Sequence, residues 1–449
     1  MRKFKVRAFN LFKMTFRAII LLIFLISCGS AEHGISDKNM LKKTNLPYVK
    51  IITPKTIKDE PKTPGIIKII EDDKLIFESN IGVEIRGASS QLFSSKKSYG
   101  FEFKNQAGQD TSLAVFNMPK NKDWILYGPY SDPTLIKNIL AYQLSNNLGH
   151  YASKTQIVEL EINDWYKGIY VWMEKPKRGK NRIETGPDST GLSFILKIDK
   201  TVGKGFDSEG EYNDTNSFGS KFNVDGKPTD SPQIHFLYEY PKPEKLKKET
   251  KLEIRDYLNQ FETGLVAGKD FTQLIDDESF IDYFLLNELA QNFDAYRIST
   301  FFHKPSDGKL MMGPIWDFDL AFGSRSYCDK INRKKNVWVF QYNNYCGHDP
   351  WLVPFWWKKL LANELFREKL TNRWFSLRRN KFSESEIFKI IDENYKNIQG
   401  SGGYFNDRQA QSKKKIPDNV NADYKVEIES LKSWLTQRLT WIDEHIEEL

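Results

Sequence analysis

The stretch NFDAYRISTFFHKPSDGKLMMGPIWDFDLAFG, residues 292–323, contains two strand-like runs separated by a turn. The turn is PSDG at 305–308, whose proline, aspartate and glycine favour tight connections. We therefore predict a β-hairpin in which Lys304 faces Lys309. Because a hairpin brings its two open ends together, this segment decides where the polar residues of the C-terminal half meet.

Three aspartates lie at the open end of the predicted hairpin. The register places Asp294 opposite Asp319 and Tyr296 opposite Asp317, and the period of two along a strand turns all three aspartates to one face. Facing Cβ atoms in such a ladder are only about 5 Å apart. Clustered carboxylates repel one another unless they share a proton, meet a basic partner or bind a cation.

This acidic group has two interpretations. Oxygen ligands without histidine or thiolate favour Mg²⁺, Mn²⁺ or Ca²⁺ over zinc, which suggests a divalent-cation and general-base site. Alternatively, the acids cap helices or pair with Arg297 and Arg325. Their spacing does not decide between the two interpretations.

The rest of the chain divides by its hydrophobic periodicity. Short alternating runs between turn residues predict a β-rich unit over residues 61–200, with one helix at 132–149. Residues 201–232 are rich in Gly, Asp, Asn and Ser and predict an exposed insertion. Residues 233–449 are mainly helical in pattern apart from the hairpin, so the predicted fold class is α+β.

The first 27 residues have the pattern of an export signal. Six basic residues and no acid precede the apolar run 18–26, which is too short for a permanent membrane span. The following Leu-Ile-Ser-Cys sequence predicts a lipoprotein signal peptide over 1–27 and lipidation of Cys28; an ordinary signal or an uncleaved anchor is the alternative. Residues 28–60 are then a tether between the lipid and the folded part.

Composition and charge limit the possible functions. Hydrophobic residues make up 40% of the chain and charged residues 28%, which is typical of a folded globular protein. Loss of the signal lowers the net charge from +7 to +1, because six basic residues leave with it. A nucleic-acid partner is therefore not expected, since it needs a retained basic surface.

Beyond Cys28 the chain has only two cysteines, Cys328 and Cys346. In an exported protein they form either a disulfide, which would stabilise the fold by about 3 kcal/mol, or two unpaired buried thiols. Neither state suggests a metal site or a nucleophile.

Seven segments of the chain resemble, in order, motifs of the CotH kinase family, whose name comes from spore-coat protein H. The resemblance covers roughly residues 66–449 and rests on IGVEIRGASSQ (81–91), KKSYGFEF (96–103), DWILYGPYSDPTLIKN (123–138), GIYVWMEK (168–175), NFDAY (292–296), GPIWDFDLAFG (313–323) and LKSWLTQRLTWID (431–443).

The resemblance implies a two-lobed, atypical protein-kinase-like fold, with a β-rich N-terminal lobe and a mainly helical C-terminal lobe. It also implies ATP as co-substrate and Mg²⁺ or Mn²⁺ as cofactor. Asp294 resembles the catalytic aspartate, and Asp317 resembles the metal-binding aspartate, with Asp319 beside it. Ser299 stands where many kinases have an asparagine that holds a second metal ion, and a serine hydroxyl is a weaker ligand.

Four further residues are candidates for the ATP site. Lys96 or Lys97, on a predicted strand, is placed to contact phosphates as a point charge, and the alternative is a solvated basic strand end. Arg86 precedes a turn of small residues that suits phosphate. Glu174 follows an apolar strand where a hinge between lobes would run, and an exposed loop is its alternative.

The sequence thus predicts an exported kinase, lipid-anchored to a bacterial membrane in the cell envelope, that phosphorylates serines of a surface or exported protein. An alternative is a non-catalytic surface lipoprotein that uses the same fold for binding or adhesion. A third hypothesis, glycoside hydrolysis by two carboxylates, would need an aromatic sugar cleft, which Trp351, Trp356 and Trp357 would allow.

Overall fold

The structure is a computed structural model, and it describes residues 34–87, 91, 94–201, 210–269, 271–332, 336–412, 417 and 420–449. The predicted signal peptide, Cys28 and the start of the predicted tether lie outside the described residues. No helix within the described residues is long and apolar enough to cross a membrane.

The described strands are β1 (Tyr48–Ile52), β2 (Thr63–Glu71), β3 (Lys74–Arg86), β4 (Ser98–Lys104), β5 (Leu113–Val115), β6 (Met118–Asn121), β7 (Asp123–Tyr127), β8 (Thr155–Ile162), β9 (Trp165–Glu174), β10 (Phe194–Ile198), β11 (Ser217–Gly219), β12 (His235–Tyr240), β13 (Thr300–Lys304) and β14 (Met311–Met312).

The described α-helices are α1 (Lys137–Asn147), α2 (Lys248–Ala267), α3 (Asp277–Ala290), α4 (Asp329–Asn332), α5 (Tyr342–Cys346), α6 (Trp356–Ala362), α7 (Glu364–Arg378), α8 (Glu384–Gly400), α9 (Gly403–Gln411) and α10 (Val420–His445). The chain is therefore a mixed α+β protein with a β-rich N-terminal part and a helical C-terminal part, as predicted.

The N-terminal part is a closed β-barrel in the strand order β1-β2-β3-β4-β7-β9-β8. Alternate residues of these strands point inward and form their own apolar core, in which Phe101 and Trp124 contact Trp172 at ring distances of 4.8 and 5.7 Å. Strands β8 and β9 form an antiparallel hairpin. Its turn residues Asn163 and Asp164 have the positive φ angles, 49° and 67°, that a tight connection requires.

A second sheet has the strand order β11-β12-β10-β13-β14 and separates two apolar regions. Leu196 and Phe302 point into the main core among the helices, whereas Ile195 and Phe301 point to the opposite face. There they form a small cluster with Ile183, against which Trp316 packs.

Helix α3 leads the chain into the acidic segment. Asp276 caps its N-terminus by accepting a hydrogen bond from the amide of Ser279 at 2.8 Å. Every residue from Ser279 to Ala290 is buried, because the sheet, α7 and α10 surround the helix. Helix α3 is therefore a rigid base for the loop that follows it.

Three predicted domain boundaries are wrong. Residues 48–52 of the predicted tether form β1, because their alternating apolar side chains complete the barrel. Within the predicted exposed insertion 201–232, Phe218 and Phe222 are buried; residues 202–209 of that insertion lie outside the described residues. Strand β10, assigned to the N-terminal unit, pairs with β12 and β13 of the second sheet.

The predicted hairpin exists, but its register is wrong by one residue. Phe302 pairs with Met312 and His303 with Met311, which places Lys304 opposite Leu310 rather than Lys309. Leu310 is held by the neighbouring segment, since its amide donates to the carbonyl of Leu274 at 2.9 Å. That contact shifts the pairing of the second hairpin strand by one residue.

Candidate active site

The three predicted aspartates do come together, but they do so on loops and not on a strand ladder. Asp294 lies in the turn after α3 and is 8% exposed, whereas Asp317 and Asp319 lie in the segment after β14 and are half-buried. Their charges are close enough that Asp319 and Asp294 both raise the pKa of Asp317.

Asp294 has a basic partner, as the second interpretation of the acidic group expected. Arg297 donates to the Asp294 carboxylate at 3.0 Å and to Asp349 at 3.3 Å. The ring of Tyr342 lies 4.3 Å from the Arg297 guanidinium, and the Tyr342 hydroxyl donates to Asp349 at 2.8 Å. Asp294 is thus held in place through Arg297. Among the residues that the structure describes, Arg325, the other proposed partner, forms no ion pair with these aspartates.

Asp317 occupies a left-handed backbone conformation, with φ at +62°. For a residue other than glycine this conformation is uncommon and is often found at functional sites. Three groups surround the residue: the Ser299 hydroxyl lies 3.4 Å from its carboxylate, the Asn292 amide donates to its carbonyl at 3.2 Å, and its own amide lies 3.4 Å from the Tyr142 hydroxyl.

Asp319 is fixed by two neutral donors. The Tyr127 hydroxyl, at the end of β7, donates to Oδ1 of Asp319 at 2.5 Å, and the Asn138 amide on α1 donates to the same atom at 2.6 Å. The Asn138 carbonyl oxygen accepts the amide of Phe318 at 2.9 Å. The barrel and α1 therefore position this segment together. Both hydrogen bonds go to Oδ1, so Oδ2 is the remaining oxygen of the Asp319 carboxylate.

A fourth acidic residue, Asp199, was missed by the sequence analysis. Ile198 pairs with Thr300, and continuing this β10–β13 register by one residue sets Asp199 opposite Ser299. Its charge acts on both Asp294 and Asp317. The sequence LKIDK gives only a short strand with a charged end, so nothing local predicts this pairing.

Two cations approach the acidic group from the barrel and the sheet. Arg86, at the end of β3, interacts with the charge of Asp317, and its guanidinium lies 5.6 Å from the Trp316 ring. Lys197 on β10 lies 3.3 Å from Asp199 and is close enough to Arg86 for the two charges to repel. Arg86 was predicted to contact ATP, whereas Lys197 was not recognised.

The two predicted phosphate-binding lysines are engaged elsewhere. Lys96 precedes β4 and is buried in an ion pair with Asp407 of α9, so it is not the solvated strand end of the alternative either. Lys97 is half-buried and donates to the carbonyl of Gln91 at 2.5 Å. Within the described part of the chain, neither lysine forms a hydrogen bond or ion pair with the acidic group, and α9 covers this side of the barrel.

Glu174 is fully buried and is not an exposed loop residue. Its carboxylate accepts the amide of Lys154 at 3.1 Å and lies 3.5 Å from Arg182. The side chain joins β9 to the segment after it, so the structure gives Glu174 a structural role. Trp356 and Trp357 are also buried in the core and cannot line the aromatic sugar cleft that glycoside hydrolysis would need, whereas Trp351 is half-buried.

Burial dominates the electrostatics of the acidic group. It raises the pKa of Asp294, of Asp317 and of Asp319 above their ordinary values. Arg297 lowers the pKa of Asp294, Arg86 lowers that of Asp317, and the hydrogen bonds from Tyr127 and Asn138 lower that of Asp319. Neighbouring positive charge or a cation therefore favours the ionised carboxylates.

The donors fit a magnesium ion that is shared with phosphate. Within the described ranges, no three His, Cys, Asp or Glu side chains are arranged to hold a metal on their own. Magnesium in nucleotide enzymes is usually held by one or two carboxylates plus substrate phosphates. Asp317 and the remaining oxygen of Asp319 suit that arrangement, with the Ser299 hydroxyl beside Asp317.

The loop next to the acidic group is closed covalently. Cys328 and Cys346 form a disulfide, with Cα atoms 6.2 Å apart, so the alternative of two unpaired thiols is wrong. The bridge joins the chain just after the acidic segment to α5, which carries Tyr342. It therefore ties together the elements that hold Arg297.

Comparison with known proteins identifies the family to which the chain belongs. The profile of the CotH kinase protein family matches residues 83–442. The chain therefore belongs to the CotH kinase family, and the match covers most of its length.

Comparisons with solved structures and with curated proteins add little to the family match. One solved structure that aligns with the chain is the Helicobacter pylori proinflammatory kinase CtkA, at 11% identity and a TM-score of 0.30, over 90% of this chain and 97% of that chain. A TM-score this low does not establish a shared fold. No curated protein gives a significant match.

Proposed function

We propose that this protein is an exported, lipid-anchored kinase that transfers phosphate from ATP to serine hydroxyls of a surface or exported protein. The observation that supports this proposal is the convergence of Asp294, Asp317 and Asp319 beside Arg86 and Lys197. Phosphoryl transfer needs a carboxylate to orient the acceptor hydroxyl and positive charge to neutralise the phosphates, and this set contains both.

In this proposal Asp294 orients the acceptor hydroxyl and takes up its proton. Arg297 keeps the Asp294 carboxylate in position and favours its ionised form. Asp317 and Asp319 would hold Mg²⁺ or Mn²⁺, which supplies charge neutralisation for the phosphates when bound. Tyr127 and Asn138 keep the Asp319 carboxylate turned toward that position.

The nucleotide would lie between the barrel and the second sheet, which would then be the two lobes of a kinase. The half-buried ring of Trp316, which lies 5.6 Å from the Arg86 guanidinium, is the aromatic side chain that would border the base. Arg86 interacts with the charge of Asp317, Lys197 lies close to Arg86, and both would contact the phosphates. They take the role that the sequence analysis gave to Lys96, Lys97 and Glu174.

The lipid anchor and the location in the cell envelope are supported by the sequence of residues 1–28. An acylated Cys28 would hold the folded part at a membrane surface without crossing the bilayer. Mass spectrometry of the protein from a bacterial membrane fraction tests this: a diacylglyceryl group on Cys28 is expected, and an intact residue 1 would contradict it.

Two observations favour a second candidate, a non-catalytic binding module. Asp294 is already paired with Arg297 at 3.0 Å, and Ser299 is a weaker metal ligand than asparagine. A protein that had lost catalysis would keep the pairing as a structural contact.

Phosphate transfer distinguishes the two candidates. The chain from Cys28 onward, without lipid, is incubated with labelled ATP and Mg²⁺ or Mn²⁺ and a serine-containing protein acceptor. Transfer that requires metal and is lost in Asp294→Asn and Asp317→Asn, but kept in Asp307→Asn at the exposed hairpin turn, would support the kinase. Absence of transfer by folded protein that binds no nucleotide would support the binding module.

A further inference from the structure

Glu288, in the last turn of α3, is a buried acid to which the proposed reaction gives no role, and it is 1% exposed. Its carboxylate accepts three hydrogen bonds, from the amide of Val339 at 2.7 Å, the amide of Phe340 at 2.9 Å and the hydroxyl of Tyr296 at 3.1 Å. These donors come from two segments that follow α3 in the chain. The carboxylate therefore joins both segments to the end of the helix.

Arg438 of α10 supplies the countercharge. Its guanidinium is fully buried, donates to the carbonyl of Glu288 at 2.9 and 2.7 Å, and lies 3.5 Å from the Glu288 carboxylate. Burial raises the pKa of Glu288 to about 7, whereas the charge of Arg438 and the three hydrogen bonds act to lower it. Removing either charge would leave the other buried and unpaired, so the pair fixes the end of α3 against α10.

The first connection from this pair to Asp294 runs through Tyr296. Tyr296 is fully buried and has a φ of +72°, a conformation that is strained for a bulky residue and persists only where its surroundings hold it. Its hydroxyl donates to Glu288 and lies 3.4 Å from the carbonyl of Phe284, so both contacts tie it to α3. Asp294 is in the same turn, which is closed by the amide of Ile298 donating to the Asp294 carbonyl at 3.1 Å. Tyr296 therefore fixes the backbone at Asp294.

The second connection runs through α5. The 3₁₀ turn Val339–Gln341, whose first two amides donate to Glu288, leads directly into Tyr342 of α5. The Tyr342 ring lies 4.3 Å from the Arg297 guanidinium, and Arg297 donates to the Asp294 carboxylate at 3.0 Å. The carboxylate of Asp294 is therefore held, through these residues, by the same acid that holds its backbone.

We propose that Glu288, paired with Arg438, is a positioning residue that fixes Asp294 for transfer to the acceptor hydroxyl. This role rests on the proposed kinase function, in which Asp294 orients that hydroxyl. A displacement of about 1 Å at a reacting group can cost about a hundredfold in rate, so loss of these contacts should lower kcat. Asp319 is held by donors from the barrel and α1 instead, so the binding of metal and ATP should not depend on Glu288.

Tyr296→Phe tests the proposal, because it removes one donor to Glu288 and keeps the ring in the core. Tyr283→Phe is the matched control: Tyr283 is buried, its ring centroid lies 6.0 Å from that of Tyr296, and its hydroxyl lies 3.3 Å from that of Thr300. In phosphate transfer by the full chain, we expect Tyr296→Phe to lower kcat about tenfold or more and to leave KM for ATP within about twofold. Tyr283→Phe should stay within about twofold of the native chain in both constants.

Hydrogen exchange followed by mass spectrometry adds a measurement that needs no activity. In the native chain, the amides of Val339 and Phe340 should exchange as slowly as those in the last turn of α3, because Glu288 accepts both. In Tyr296→Phe, residues 292–298 should exchange about tenfold faster or more, and in Tyr283→Phe within about twofold of the native rate.

Fast exchange of Val339 and Phe340 in the native chain would overturn the proposal, and this result is decisive even if Tyr296→Phe does not fold. A native kcat in Tyr296→Phe, an equal loss of kcat in both tyrosine variants, or unchanged exchange of residues 292–298 would also overturn it. If the native chain transfers no phosphate, the kinase function fails, whereas the exchange rates still decide whether Glu288 fixes the turn that contains Asp294.

Discussion

The side-chain amide of Asn138 joins the barrel-facing helix α1 to the acidic segment: it donates to Asp319 at 2.6 Å while its oxygen accepts the amide of Phe318 at 2.9 Å. Asn138 itself is 5% exposed. The two bonds fix both the carboxylate and the backbone next to Asp317. Asn138 is thus a positioning residue, and its removal should affect stability and transfer together.

We expect Asn138→Ala to destabilise the fold by about 2 kcal/mol, because it leaves a buried amide without its acceptor. Urea unfolding measures this change, with Asn147→Ala on the exposed face of α1 as the control. Phosphate transfer should lose kcat more than it raises KM, since the carboxylate is misplaced but remains present. A variant as stable and as active as Asn147→Ala would show that the contact positions nothing.

Lys96 should behave as a structural residue and not as a nucleotide ligand. Lys96→Met leaves Asp407 buried without its cation, and we expect a loss of about 3–5 kcal/mol in the free energy of unfolding. Lys97→Met, at a half-buried lysine beside it, should change stability by less than about 1 kcal/mol. ATP affinity of the folded Lys96→Met protein should be unchanged; a stable variant with weakened ATP binding would contradict this assignment.

The raised pKa of the buried Glu262 carboxyl should make the stability of the fold depend on pH. Burial raises its pKa to about 7, above the ordinary 4.5, while hydrogen bonds from Trp356 and Ser220 oppose the shift. The folded state therefore binds the proton more tightly than the unfolded chain. Stability from this group is fully present below about pH 4.5 and is lost as the pH rises toward 7, by up to about 3 kcal/mol.

Glu262→Gln mimics the protonated acid and should remove this loss. Urea unfolding at pH 5 and pH 8 is the measurement, and we expect the variant to exceed the native chain in stability only at the higher pH. An equal decline in both proteins between these pH values would mean that Glu262 is ionised in the folded state without cost.

The disulfide should stabilise both the fold and the position of Tyr342, which packs against Arg297. Replacing Cys328 and Cys346 together by alanine opens a loop with a sequence separation of 18 residues and should cost about 3 kcal/mol. Denaturation with and without dithiothreitol measures it: reductant should weaken the native chain to the level of the double variant and leave the variant unchanged. Insensitivity of the native chain to reductant would argue against the bridge.

The local elements of this fold could be predicted from its sequence, because they follow from periodicity and turn residues. The β8–β9 hairpin with Asn163 and Asp164 at its turn is one example, and the buried helix α3 is another. Helix α1 begins at Lys137, five residues after the predicted start at 132. The Asp132 carboxylate lies outside the helix and accepts the amide of its first residue, Lys137, at 2.8 Å.

Contacts between distant segments could not be predicted. The observed hairpin register differs from the predicted one because the carbonyl of Leu274 accepts the amide of Leu310. The sequence of the turn does not contain that information. Lys96 was assigned to phosphate because its partner, Asp407, follows 311 residues later. Asp199 and Lys197 were missed for the same reason: only the pairing of β10 with β13 brings them to the acidic group.

Binding of Mn²⁺ together with ATP, followed by electron paramagnetic resonance, tests most directly whether the acidic group is a metal–nucleotide site. Titrations would compare the native chain with Asp317→Asn and with Asp307→Asn at the exposed hairpin turn. We expect the native chain and Asp307→Asn to bind Mn²⁺ only when ATP is present, and Asp317→Asn to bind it at least tenfold more weakly. Equal Mn²⁺–ATP affinity in all three proteins would contradict the assignment of Asp317 and, with it, the proposed kinase site.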